Sequence, residues 1–438
     1  MPARPSSLMP AIDPTANHPL PADASSDRGQ GLLDRMTTVP DHRSRRGRIH
    51  PLPSILALIT CAIAAVGNDS LTAIDEWIRD APPEILRHCG VRRDPFTGAL
   101  TPPSEATCRR VLTRVDTGAL EAAMTVPAPR TAATAQPSAG PTEREARRIR
   151  QREAEAPPRP AGLRDGLAVD GKRLAGARRR DGSRVNLLSA VTHDRGLTTA
   201  QTEIGRKTNE IPEAPRLLKI LDITDTVVTL DALHTQRATA NAIVDADGHY
   251  LMIIKENQVA LLTAAIARLQ GTDAEYEARG ASLTIEETGH GRRERRTVRV
   301  APAGDIDFPH AGQVLRIHRV TGATTGPWLT KQTVYGISDL TVDKAGPDHM
   351  MVHGRGHWTV ESNHWVRDTT FHEDKSQIRT GHAPHAMATI RNFVIATIRV
   401  AGYANIASAR RWVSRQASRV LTLFDLTPET CETVKPQT

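Results

Sequence analysis

The spacing of hydrophobic positions changes character twice along the chain. Between residues 31 and 125 it is helical. Leu71, Ile74, Trp77 and Ile78 recur behind a capping Asp69 or Ser70, and Cys108, Val111, Leu112 and Val115 form an i, i+3, i+4, i+7 stripe behind Ser104. The most apolar window, Leu52 to Val66, is too short for a membrane span and suits a buried helix. Residues 126–162 lose the pattern. Pro127, Pro129, Pro137, Pro141, Pro157, Pro158 and Pro160 punctuate a stretch rich in Ala, Thr, Arg and Glu, which reads as a linker. Residues 1–30, rich in Pro, Ala, Ser and Asp without an apolar signal core, read as a disordered arm, and residues 426–438 as a tail.

From residue 163 to 425 strand and helix patterns alternate. Leu167–Asp170, Val185–His193 and Leu197–Ile204 read as three strands, followed by a helix over Glu210–Leu221. Thr226–Asp231 is a fourth strand, Thr235–Asp245 a helix and Tyr250–Ile254 a fifth strand. A three-strand meander followed by alternating helices and strands is the order of a ribonuclease-H-like mixed sheet, an α/β fold. In that fold the first and fourth strands are neighbours at the sheet centre. Residues 271–350 interrupt this order with Ser282–Glu287, Arg295–Val300, Val314–Val320 and Gln332–Ile337, rich in β-branched residues and predicted to form an antiparallel insertion. A helix is predicted to start near His357. The whole is expected to be an α/β domain preceded by a small all-α domain.

This arrangement singles out three carboxylates. Asp170 and Asp231 end the apolar runs of the first and fourth strands, so they should meet although far apart in sequence. Glu361 lies on the later helix, where Trp358, Glu361, Trp365 and Asp368 share a face by i+3, i+4 and i+7 spacing. A carboxylate on an inward, tryptophan-lined face needs a partner, and a metal supplies one. Carboxylates are the ligands Mg²⁺ prefers, and two ions roughly 3.5–4 Å apart can activate an attacking oxygen and stabilise a leaving one. Asp368, Glu373 and Asp374 are rivals for the third position. His349, His353 and His357 recur every four residues, but Gly354 and Gly356 weaken a helix there, and no Cys or carboxylate partner suggests zinc.

Charge and cysteines narrow the class. Lysine and arginine total 57 against 49 acids, a formal +8, which favours a polyanionic partner. The excess is local, with Arg43, Arg45, Arg46 and Arg48 before the first helices, Lys172, Arg173, Arg178, Arg179, Arg180 and Arg184 after the first acid, and Arg410, Arg411, Arg415 and Arg419 near the end. Short helices behind a basic segment are compatible with a helix-turn-helix-like DNA reader. The 4 cysteines lack ligand spacing and suit a reducing cytoplasm rather than a disulfide scaffold. A soluble cytoplasmic, nucleoid-associated protein is expected.

Several motifs resemble those of the bacterial insertion-sequence transposases of the ISAs-one family, which includes the H-repeat-associated proteins. They are Asp41-His42-Arg43-Ser44-Arg45-Arg46-Gly47-Arg48, Ala168-Val169-Asp170-Gly171-Lys172, Lys207-Thr208-Asn209-Glu210-Ile211 and Leu230-Asp231-Ala232. Lys255-Glu256-Asn257-Gln258, Gly289-His290-Gly291-Arg292-Arg293-Glu294-Arg295 and His357-Trp358-Thr359-Val360-Glu361-Ser362-Asn363 complete the set. The resemblance implies a DDE transposase with Asp170, Asp231 and Glu361 as catalytic and metal-binding triad. It implies two Mg²⁺ ions (Mn²⁺ can substitute), double-stranded DNA as element ends and target, and self-association in a synaptic complex. Lys172, Arg173, His290, Arg292, Lys255, Asn257, Arg43, Arg45 and Arg46 are the candidate DNA contacts. Better-known relatives carry a Tyr-Arg-Glu-Lys signature around the glutamate; here Gly354, His357 and Asp368 stand at the Tyr, Arg and Lys spacings. An inactive DNA-binding derivative and a Mg²⁺-dependent nuclease are the alternative functions.

Overall fold

A computed structural model of the chain describes residues 31–126, 159–179, 181–205, 210–289, 291–403 and 405–426. The predicted arm, most of the linker, the tail, Arg180 and His290 lie outside these residues. Six helices open the described chain: α1 (Leu32–Thr37), α2 (Leu52–Ala64), α3 (Leu71–Asp80), α4 (Pro83–His88), α5 (Glu105–Arg114) and α6 (Thr117–Met124). Ser70, not Asp69, caps α3, its Oγ accepting the Ala73 N–H at 3.1 Å. Asp69 faces His372 and Arg410 instead. Ser104 stands at the N-cap of α5 without a side-chain bond to the backbone there. The apolar run of α2 is buried on nearly all sides, as expected of a helix that is apolar all round.

The sheet begins with β1 (Asp165–Arg178), β2 (Arg184–Thr192) and β3 (Thr198–Glu203), followed by α7 (Glu210–Leu218), β4 (Thr226–Leu230), α8 (Arg237–Val244) and β5 (His249–Ile254). After α9 (Val259–Arg268) and α10 (Asp273–Ala278) come four long strands, β6 (Ser282–Gly289), β7 (Arg292–Pro302), β8 (Gln313–Ala323) and β9 (Trp328–Ser338). All nine form one sheet in the order β3-β2-β1-β4-β5-β9-β8-β7-β6. β4 runs parallel to β1 and to β5, while β2, β3 and β6 to β9 pair antiparallel. The predicted insertion is therefore antiparallel, and it extends the central sheet through the β5–β9 ladder.

β1 is longer than its apolar run. Pairing with β2 carries it past Asp170, so that residue sits inside the strand, opposite Ser189, rather than at its end. The β1–β4 ladder, however, stops at Val169↔Leu230. The next residues on the two strands are Asp170 and Asp231, and the register alone makes them neighbours.

The last helices are α11 (Pro347–Gly356), α12 (Trp358–Thr370), α13 (Ala383–Val400), α14 (Ile406–Ser414) and α15 (Arg419–Leu423). A helix does form across Gly354 and Gly356. A Cβ built on Gly356 would overlap the His193 ring, as would one on Gly166. These glycines let helix and sheet close on that ring, a packing gain set against the poor helix propensity of Gly356. α1 to α6 and α13 to α15 share one hydrophobic core, in which Leu56, Ile59 and Leu112 join Met387, Ile390 and Val394. Hydrogen bonds cross the same boundary, from the Leu32 N–H to the Phe424 carbonyl at 3.0 Å and from the Arg410 guanidinium to the Ala65 carbonyl at 2.6 Å.

Candidate active site

Alternation along β1 puts Asp170 and Lys172 on one sheet face, together with Ala168, which packs on Val191 and on Val360 of α12. α12 therefore lies over the point where the β1–β4 ladder ends. Its buried side is Val360, Asn363, Val366 and Arg367. The tryptophan-lined face is not the inward one: Trp365 is 47% exposed, and Trp358 stacks on Arg319 at 5.3 Å. The stripe that faces the sheet is polar and steps i, i+4, i+7, i+11 through His357, Glu361, His364 and Asp368. His357 Nδ1 lies 3.1 Å from Thr229 Oγ1, His364 Nδ1 lies 3.7 Å from Asp170 Oδ2, and Lys172 Nζ donates to Asp368 Oδ2 at 2.6 Å. Thr229 precedes Asp231 by two residues on the same side of β4 and also meets His193 Nε2 at 2.9 Å.

The electrostatics report the same convergence. Burial pushes the Asp170 carboxyl up to about 7, and the negative charges of Asp231, Glu210 and Glu361 push the same way against a backbone hydrogen bond from Gly171. Burial also raises Glu361, while Lys255 opposes it. The Asp231 Oδ1 accepts the backbone N–H groups of Leu233 and His234 at 3.1 and 3.3 Å, which fixes it at the mouth of the following loop. Burial holds His357 down to about 4, so it stands neutral beside the acids, and it holds His364 well below its usual range.

Glu210 is a fourth acid that strand ends and helix faces did not single out, although it lies in the Lys207-Thr208-Asn209-Glu210 motif. It opens α7 and lies against Gly171, where any Cβ would overlap its carboxylate. His234, fully buried, places Nε2 3.5 Å from Glu210 Oε2. Among the described residues, no three His, Cys, Asp or Glu side chains converge tightly enough to form a ready metal cage. The acids are nonetheless the donor set a hard divalent cation takes. Burial and, after it, the charges of the neighbouring acids raise the Asp170 carboxyl, and such a cation would offset both.

The remaining candidates divide. Lys172 is only 8% exposed and ion-paired to Asp368, so it is not displayed to solvent as an open DNA contact. Arg43 forks onto Asp41 at 2.8 and 2.7 Å and also donates to the His50 carbonyl. Arg45, Arg46, Arg173, Lys255 and Arg292 are exposed. Asn257 Nδ2 donates to the Ala232 carbonyl at 2.9 Å, tying the turn after β5 to the Asp231 loop. Glu373, a rival third acid, is buried between Arg367 and Arg391, and Asp374 lies 3.8 Å from Lys172. His349 Nε2 reaches the Ala161 carbonyl and the His353 ring packs 5.8 Å from that of His193, so the three histidines spaced by four do not meet at one point.

Comparison with known proteins places the chain in a family. The family described as DDE_Tnp_1-associated matches residues 33–126, and the family described as Transposase DDE domain matches residues 161–397. The chain is 27% identical over 383 residues to "Putative transposase YncI" of Escherichia coli O157:H7, covering 84% of this chain and 87% of that protein. It is 30% identical over 249 residues to "H repeat-associated putative transposase YhhI" of Escherichia coli strain K12, covering 53% and 63%. A chain in a cryo-EM structure titled as the piggyBac transposase synaptic complex with hairpin DNA aligns over 94% of this chain and 81% of its own. At a TM-score of 0.39 and 11% identity, that likeness carries no argument about fold. The match over residues 161–397 contains Asp170, Asp231 and Glu361, and the chain belongs to the transposase DDE domain family, as a DDE transposase of the H-repeat-associated type.

Proposed function

We propose that this transposase cleaves the phosphodiester backbone at the ends of its insertion sequence and joins the freed 3′ ends to target DNA, with Asp170, Asp231 and Glu361 as its catalytic carboxylates. The observation that carries the reading is the β1–β4 register. It makes Asp170 and Asp231 neighbours across adjacent parallel strands, with Glu361 close enough to raise the Asp170 carboxyl. The order β3-β2-β1-β4-β5, with its parallel β1–β4 and β4–β5 pairs, supports a ribonuclease-H-like core. Residues 31–125 are read as a transposase-associated helical domain, 163–425 as the catalytic domain and 271–350 as its β insertion.

Asp170, Asp231 and Glu361 would hold the divalent ions, with Mg²⁺ or Mn²⁺ the fitting species. When bound, such ions supply Lewis acidity that activates an attacking oxygen and stabilises a departing one. The chain's own part is positioning. β1 and β4 fix two carboxylates on a rigid sheet, α12 carries the third above them, and neutral His357 adds no charge that would compete for the acids. No side chain is needed as a covalent nucleophile, because phosphoryl transfer rests on positioning and charge stabilisation. Double-stranded DNA is the partner, reached through exposed Arg45, Arg46, Arg173, Lys255 and Arg292, and a synaptic complex calls for self-association. Among the described residues no helix is long and apolar enough to cross a membrane.

The test is strand transfer with purified protein, a duplex bearing the element's own terminal repeat, and Mg²⁺ or EDTA. Asp170→Ala and Glu361→Gln should each abolish cleavage and joining while leaving duplex binding intact. Retained strand transfer in either variant sinks the assignment. If wild-type protein binds the duplex without joining it, the alternative of an inactive DNA-binding derivative takes its place.

A further inference from the structure

We infer that Lys172 and Asp368 form a positioning pair that sets where α12 presents Glu361 over β1. This rests on the carboxylate reading above and goes beyond it, since neither residue belongs to the triad. The two residues extend a register that the His364–Asp170 approach, at 3.7 Å, already sets between α12 and β1. Lys172 follows Asp170 by two residues on the same face of β1, about 7 Å along the strand. Asp368 follows His364 by four on the same stripe of α12, about 6 Å along the helix, and Glu361 lies one turn before His364. The Lys172–Asp368 contact, Nζ to Oδ2 at 2.6 Å, therefore agrees in spacing with the His364–Asp170 approach and fixes the register in which α12 carries Glu361 over β1.

The pair is built as a tie rather than a surface charge. Lys172 is 8% exposed and has a second carboxylate, Asp374, at 3.8 Å. Asp374 also accepts the Ala175 N–H of β1 at 3.2 Å, so the turn after α12 is laced to the same strand. Beneath it, Arg367 of α12 and Arg391 of α13 both bind Glu373, at 2.7 and 3.1 Å, with all three side chains nearly inaccessible. That network anchors the lower half of α12 to the helical core. Lys172–Asp368 is the link that transmits this anchoring to the catalytic strand. A partly buried ion pair adds little net stability, but withdrawing Asp368 leaves the buried Lys172 ammonium with only the more distant Asp374 as a counter-charge.

The experiment uses the full-length protein, Mg²⁺ and a duplex bearing one element end. Lys172→Met, Asp368→Asn, Lys172→Asp and the exchanged Lys172→Asp/Asp368→Lys protein are compared under single-turnover conditions. Each single variant should cleave about 100-fold more slowly, the loss that accompanies a displacement of about 1 Å at a reacting centre. The Kd for the duplex and its salt dependence should stay at wild-type values. The exchanged pair should cleave at least about tenfold faster than Lys172→Asp alone, the rescue expected when one coupled interaction is restored. If Lys172→Met does not fold, Lys172→Arg and Asp368→Glu, which keep both charges and alter their reach, carry the same comparison.

Wild-type rates with only a lowered Tm would overturn the proposal and leave a purely structural tie. So would weaker duplex binding in Lys172→Met, with a salt slope reduced by about one, alongside an unaffected Asp368→Asn; Lys172 would then be a phosphate contact. Asp170→Asn is run in parallel. If that variant cleaves, the carboxylate assignment itself has failed, independently of the pair.

Discussion

Replacing Asp170 with Asn should make the metal-free protein more stable while removing its activity. In the fold, burial and the neighbouring acids raise this carboxyl from its ordinary 3.8 to about 7. An acid with a raised folded value binds its proton more tightly in the native state, so the wild-type protein loses stability as pH rises from about 4 to about 7. At 1.36 kcal/mol per pH unit the full displacement corresponds to a ceiling of about 4 kcal/mol. Asp170 remains a quarter exposed, and salt and neighbour relaxation reduce the effect, so a gain of about 2 kcal/mol at pH 8 is expected. Asn keeps the shape and removes the charge. Urea denaturation in EDTA at pH 8 should show that gain, a Tm rise of about 3 °C should accompany it, and both should vanish near pH 4. Added Mg²⁺ should stabilise the wild-type protein and leave the variant unchanged, because binding to the native state alone adds stability. An Asn variant no more stable than wild type at pH 8, or equally advantaged at pH 4, would refute the argument that burial and the neighbouring acids make the Asp170 charge costly in the absence of a cation.

The same reasoning extends to neighbouring elements. In the Asp170→Asn background, stability should fall as pH drops from about 6.5 towards 4. His353 and His357 are held down to about 4 by burial, so they stay neutral in the fold while protonating in the unfolded chain; a flat urea midpoint across that range would contradict it. Gly171→Ala should cost about 1–3 kcal/mol and displace Glu210, because the added Cβ overlaps that carboxylate; unchanged denaturation would show that α7 moves freely. Glu373→Gln should cost about 3–5 kcal/mol by leaving Arg367 and Arg391 buried without a counter-charge, and a Tm within error of wild type would remove that network from the account of α12.

Asp170 and Asp231 were legible in the sequence because local rules place them. Each follows an apolar run, and a meander followed by alternating elements makes the first and fourth strands neighbours. Glu361 was legible as a helical residue, but its face was read from the tryptophans. That signal misleads here because Trp358 and Trp365 line a rim, while Val360 and Val366 supply the buried side with Arg367 neutralised by Glu373. The i, i+4, i+7, i+11 polar stripe was present in the sequence, yet only a partner strand distinguishes it from a solvated face. Lys172 shows the same limit. As a residue beside an acid it reads as a phosphate contact, and its burial against Asp368 depends on a segment almost two hundred residues away.

By itself, then, the sequence determined the main element types, the strand order through β5 and the adjacency of Asp170 and Asp231, all of which follow from periodicity and short-range connection rules. The tertiary structure decided what depends on long-range packing. It joined α1 to α6 with α13 to α15 in one core, and it ran the insertion into a single nine-stranded sheet through β5 and β9. It also set Glu210 against Gly171 and tied α12 to β1 through the partly buried Lys172–Asp368 ion pair. These are contacts between residues far apart in the chain, whose partners no local pattern specifies; they exist because close packing and the pairing of buried charges must be satisfied across the whole fold at once.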